Sequence, residues 1–222
     1  MPRSAERGGP QTRARIAEVA AGLFLERGYD AVTVAEVARA AGVSSVTVFK
    51  HFGRKEDLFL DRAEDAEKLL RATVRDRPAG ADVLTSLRAT VVGLAESRHA
   101  LSGLNDRSVP FFRTVAASPA LVARAREISA ELQQVLAAEL DDDPAFGGDG
   151  TLLAAFFVAG YAAVLVESAR QMMAAAGDHA DADDLVGVEV VGEPADVVAA
   201  DHEERLDRLF VALRDGFDTE GR

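Results

Sequence analysis

VTVAEVARAAGVSSVTVFKHF, residues 32–52, reads as two short helices joined by a tight turn. Thr33-Val-Ala-Glu36 is a capping box: hydroxyl and carboxylate together satisfy free N–H groups at a helix start. The helix it opens runs through Val34, Val37, Ala38 and Ala41 and stops at Gly42, which makes the turn. Ser44 or Ser45 caps the next helix, which holds Val48 and Phe52 and is ended by Gly53. Val43, Val48 and Phe52 fall on the inward side by helical spacing. Ser45, Val46, Thr47, Lys50 and His51 then share the outward side, a polar and partly cationic surface.

Working outward, apolar residues recur at three- and four-residue steps and strand alternation is almost absent, so the chain reads as all-α. Upstream, Ile16, Val19, Ala20, Leu23 and Phe24 form one stripe, closed by Gly28. Downstream, a long fourth helix is expected from about Arg54 to Asp76, then helices over 82–99, 107–117 and 119–140. Ser118 is read as the N-cap of the last of these, and Pro119 as its first residue. DDDPAFGGDG (141–150) reads as a loop, and helix resumes over 151–176. The Gly/Asp/Ala-rich residues 177–200 read as a mobile connection or a small hairpin, and a final helix covers about 201–216. About nine helices result, in two domains, 1–60 and 61–222.

Composition narrows the chemistry. Zero cysteine among 222 residues excludes disulfides, thiolate metal sites and cysteine nucleophiles. Glu167 and Arg170 interrupt the longest apolar stretch, so no membrane span is expected. The basic N-terminus has no apolar segment behind it and does not read as a secretory signal. The expected location is cytoplasmic. The net charge of −12 is uneven: residues 1–60 hold nine Lys/Arg against seven Asp/Glu, and the rest hold sixteen against thirty. A polyanion would approach the first part and be repelled by the second. No serine elbow, phosphate-binding glycine loop or dinucleotide fingerprint is present, which argues against an enzyme.

Three short helices with a tight turn after the second suit DNA reading, the third helix presenting its exposed side to the major groove. TRARIAEVAAGLFLERGYDAVTVAEVARAAGVSSVTVFKHFGRKEDLF (12–59) resembles the N-terminal domain of TetR/AcrR-type transcriptional regulators. The matching features are the first-helix stripe through Phe24, Gly28-Tyr29, the Thr33 cap, Val37-Ala38, Ala41 to Ser44, Thr47-Val48-Phe49, His51-Phe52 and Lys55 to Leu58. The resemblance implies an N-terminal helix-turn-helix domain followed by an all-helical domain that binds a small effector and dimerises through its last two helices. It implies a repressor that binds double-stranded operator DNA as a homodimer and needs no cofactor. DNA contacts are expected from Thr33, Ser44, Ser45, Val46, Thr47, Phe49, Lys50, His51 and Lys55, with Lys55 a phosphate clamp at a helix start. Arg13 and Arg15 either reach a flanking phosphate or the minor groove, or stay on a disordered tail.

Three departures bear on the contacts. The family usually has Tyr where Phe49 stands, a small residue where Val46 stands, and a Ser-like cap where Arg54 stands. Loss of the hydroxyl removes a phosphate contact, Val46 offers an apolar one, for instance to a thymine methyl, and Arg54 offers charge.

In the C-terminal part, Phe111, Phe112, Phe156 and Tyr161 read as lining an apolar effector pocket, with His99, Arg113 and Gln171 as polar contacts. For the dimer, Leu152, Leu153, Phe156, Phe157, Ala159, Gly160, Ala163, Val164 and Val166 make one helix apolar on more than one face. Leu206, Leu209, Phe210, Leu213 and Phe217 line one side of the last helix. The core expectation is a four-helix interface using Leu153, Phe157, Gly160, Val164, Leu206, Phe210 and Leu213. The run Asp178, His179, Asp181, Asp183, Asp184 with Asp201, His202, Glu203 and Glu204 lacks fixed ligand spacing and reads as solvated charge, with no metal. Two rival readings stand beside the repressor: an all-helical ligand-binding protein or enzyme with an incidental helix-turn-helix, and a DNA-binding activator without effector.

Overall fold

Helical periodicity with glycine and proline punctuation produces nine α-helices among the described residues of the computed structural model, 5–178 and 194–217, and no strand. They are α1 (Ala5–Arg27), α2 (Val34–Ala40), α3 (Ser45–His51), α4 (Ala63–Arg75), α5 (Val83–Glu96), α6 (Ser108–Ala117), α7 (Pro119–Asp141), α8 (Gly150–Asp178) and α9 (Pro194–Phe217). Single 3₁₀ turns lie at Glu56–Leu58 and Ala100–Ser102. The chain forms two units. The first contains residues up to 63 together with 110–126, and the second contains 64–109 and 127 onward.

The first unit closes on Ile16, Ala20, Phe24, Tyr29, Val32, Val37, Val48, Phe52, Leu58 and Phe59, joined by Leu121 of α7. Phe59 carries an edge-on contact to Phe24 and a stacked one to Phe111 of α6, with ring centroids 5.8 and 5.0 Å apart. This explains a break that periodicity missed. The expected fourth helix, 54–76, is interrupted after a 3₁₀ turn, and α4 starts only at Ala63. Leu58 and Phe59 are both buried in the first core, whereas Val74 of α4 belongs to the second.

The second unit packs α8 on α9, with α5 against α9. Its core holds Val74, Leu87, Val91, Leu136, Leu140, Leu153, Phe157, Val164, Leu206, Phe210 and Leu213. Gly160 sits where a Cβ would come within 2.3 Å of Leu209 Cδ1, so any larger residue there must displace the Leu209 side chain that α9 lays on α8. Two short-range expectations shift. Helix α9 begins at Pro194 rather than near 201, with Val198 already buried. Ser118 stands at the N-cap position of α7, its carbonyl accepting the Val122 amide at 3.0 Å, but its buried hydroxyl donates to Asp30 at 3.3 Å. The connection expected over 177–200 lies, for residues 179–193, outside the described residues. Contrary to the run-length argument, α8 is long and apolar enough to cross a membrane by length and composition. Its inward face is instead used by Leu153, Ala154, Phe157, Val158, Val164, Ser168 and Ala169, all buried in the unit.

Candidate nucleic-acid interface

The turn between α2 and α3 is fixed by local chemistry. Thr33 and Glu36 form the reciprocal box: the Glu36 amide donates to Thr33 Oγ1 at 3.2 Å, and the Thr33 amide donates to Glu36 Oε2 at 2.8 Å. The Thr33 amide and the Arg27 guanidinium hold the Glu36 carboxyl down, to a pKa of about 2. After Ala41 the chain reverses through Gly42 at φ +67°, and the Val43 amide donates to Ala38 O at 2.9 Å. Ser44, not Ser45, caps α3: its Oγ accepts from the Thr47 amide at 3.1 Å and pairs with the Thr47 hydroxyl at 2.9 Å.

With that start fixed, α3 turns Val48 into the core, followed by Phe52 at its C-cap. Its other side carries Val46, 66% exposed, Phe49, 53% exposed, and exposed Lys50, with Ser45, Thr47 and His51 half-buried beside them. Six of the nine expected contact residues therefore share one short helix. The other three are placed differently. Thr33 and Ser44 are exposed, but their hydroxyls are engaged as caps. Lys55 points inward: its ammonium donates to Tyr29 O at 2.7 Å and lies 4.0 Å from the Tyr29 ring centroid. Desolvation there lowers its pKa. Arg13 is likewise engaged, stacked 4.3 Å over Phe52 and donating to Asp61 O, while Arg15 is exposed.

Some supports were not visible in the sequence. Asp57 accepts the Arg54 amide at 3.1 Å and the Arg124 guanidinium at 2.8 Å, tying α7 to the segment after α3. The partners are 67 residues apart, and no local pattern signals such a pair.

The seven expected effector-pocket residues are divided between the units. Phe111 packs on Phe59 and Phe112 in the first unit, where Arg113 is exposed. In the second, Tyr161 stacks on Phe157 and donates to Leu101 O at 3.1 Å; burial raises its pKa well above the ordinary value. Gln171 donates to Asp201, exposed His99 accepts from the Leu101 amide, and Phe156 is exposed. None of the seven lines the cleft of about 630 Å³ in this unit, which is bounded by Arg75, Arg77, Val83, Leu84, Phe146, Leu153 and Arg214.

The expected interface residues all lie in the second unit. Leu153, Phe157, Val164, Leu206, Phe210 and Leu213 are all buried inside the unit, and Gly160 faces Leu209 within it. Among the residues α8 leaves exposed are Leu152, Phe156, Ala159, Ala163 and Val166, spaced four, three, four and three residues apart. Part of the acidic run, from His179 to Asp184, lies outside the described residues. Of the rest, Asp201 pairs with Arg205 and His202 is buried against Ser168.

Comparison with known proteins agrees with the geometry of α1 to α3. Residues 16–61 match the model of bacterial regulatory proteins of the tetR family. The chain is 30% identical over 145 residues to the HTH-type transcriptional regulator TcmR of Streptomyces glaucescens, covering 60% of this chain and 64% of TcmR. It is 44% identical over 59 residues to the HTH-type transcriptional repressor AcnR of Corynebacterium glutamicum, 26% of this chain and 31% of AcnR. The chain thus spans less than two thirds of the length of these relatives. A solved TetR-family transcriptional regulator from Mesorhizobium loti shares the fold at a TM-score of 0.54 and 18% identity, over 94% of this chain and 98% of that one. Over residues 16–61, which carry α2, α3 and most of α1, the chain is thus similar to the tetR family of bacterial regulatory proteins.

Proposed function

We propose that the protein is a sequence-specific DNA-binding transcriptional regulator, a repressor that leaves a two-fold operator when a small effector binds its second unit. The observation that carries this is the outward face of α3: Ser45, Thr47, Lys50 and His51 stand on a helix whose start is fixed by Ser44 and Gly42. Lys50 and Thr47 supply hydrogen bonds to base edges, and His51 faces the backbone. The cytoplasm, where the DNA is, follows from the same reading. The repressor sense takes its support from the likeness to AcnR.

One seven-residue helix contacts too few bases for useful specificity, so a symmetric dimer reading half-sites about 34–36 Å apart belongs to the proposal. The exposed stripe of α8, Leu152, Phe156, Ala159, Ala163 and Val166, has the four-three spacing of a helix seam and is the face we assign to the second copy. For the effector, the Tyr161–Gln171 stretch of α8 and the cleft at Arg214 are the two places to probe. Operator and effector must then weaken each other's binding by the same factor.

The test is a gel shift of the full chain against the DNA flanking its own gene, at stated salt. Retarded, competitor-resistant complexes whose sequence preference changes in Lys50→Ala are expected. Absence of any sequence-dependent complex would defeat the proposal.

A further inference from the structure

Two large apolar side chains stand in water on the same side of α3. Val46 and Phe49 are each more than half exposed, three residues apart, while Val48 turns the other way into the core. Single exposed apolar residues are ordinary on protein surfaces. Two adjoining ones on the narrow outward face of a helix only seven residues long, beside Lys50, are a more specific arrangement.

What such a pair can cover in a major groove is chemically restricted. Base edges there are hydrogen-bond donors and acceptors, with one apolar group among them, the 5-methyl of thymine. Phe49 has no hydroxyl to offer a phosphate, so its ring contributes only by covering apolar surface. The rise of about 1.5 Å per residue sets the two side chains about 4.5 Å apart along the helix. Bases on one strand are spaced about 3.4 Å, so the pair spans neighbouring base positions.

We infer that Val46 and Phe49 make the 5-methyl groups of thymines a specificity determinant of each half-site. This rests on the proposed reading of DNA by α3 and names the chemistry that the reading selects.

The experiment uses the full chain and duplexes it recovers from a random-sequence pool. Each thymine of the recovered duplex is replaced in turn by deoxyuridine, which removes the methyl and leaves every hydrogen-bonding group. Affinity is read by fluorescence anisotropy. The expected result is a roughly fourfold weakening at one or two positions per half-site, the worth of one buried methyl-sized group. Val46→Ala should abolish the penalty at one such position and Phe49→Ala at another. Both side chains are exposed, so both variants should melt like the parent, and circular dichroism checks this. A recovered duplex on which no thymine-to-uracil change matters would overturn the inference alone. So would penalties that persist unchanged in the Val46→Ala, Phe49→Ala double variant. Failure to recover any sequence-specific duplex would overturn the DNA-reading proposal and this inference with it.

Discussion

At the scale of the residue, two side chains do work that their positions in the sequence did not announce. His202 is fully buried, its Nδ1 2.9 Å from Ser168 Oγ and its Nε2 without a hydrogen-bond partner. Burial lowers its pKa, with Asp201 pulling weakly the other way. The folded state therefore prefers the neutral ring, and stability is fully present above the unfolded-state pKa of about 6.5 and lost as pH falls below it. Each tenfold difference in proton affinity removes about 1.4 kcal/mol, and each kcal/mol lowers the melting temperature of a chain this size by about 2–4 °C. Melting curves between pH 7.5 and 5.5 should fall in the parent and stay flatter in His202→Gln; parallel curves would exclude the residue. Lys55 is the second case. With its ammonium on Tyr29 O and over the Tyr29 ring, Lys55→Ala should lower the melting temperature. It should leave the slope of log affinity against log salt unchanged, where a lost phosphate contact would reduce that slope by about one.

At the scale of the element, what the sequence revealed was what is encoded within four residues. The capping box at Thr33 and Glu36, the glycine turn at Gly42 and the serine cap of α3 all use partners three or four positions away. What it hid depends on distant partners: Ser118 turned to Asp30, Asp57 held by Arg124, and the break before α4 set by two cores. Helix α8 shows the same limit. Its apolarity on more than one face was legible, but which face meets α9 was not, because Leu153 and Phe156 are equally apolar. The structure separates them, and mutation should too. Leu153→Ala, at a buried position, should cost about 2–5 kcal/mol of stability. Phe156→Arg should turn a sedimenting dimer into a monomer. A dimer that survives Phe156→Arg and Val166→Arg together would move the interface elsewhere.

At the scale of the whole molecule, neither unit is a continuous length of chain. Residues 110–126 are counted with the first 63, and they bring Phe111, Val115 and Leu121 to the core around Phe24 and Phe59. A fragment ending at residue 63 should therefore melt below the corresponding transition of the full chain, and adding a peptide of residues 108–128 should raise it. Equal melting with and without that segment would show it to be dispensable. The same feature constrains anyone building hybrid sensors. A graft that joins this N-terminal domain to a foreign C-terminal domain at a single splice point near residue 60 leaves part of its core behind. A working chimera must carry two cassettes, the first sixty-odd residues and the α6–α7 segment, so that recombination between related genes at one crossover is penalised and the pair is inherited together.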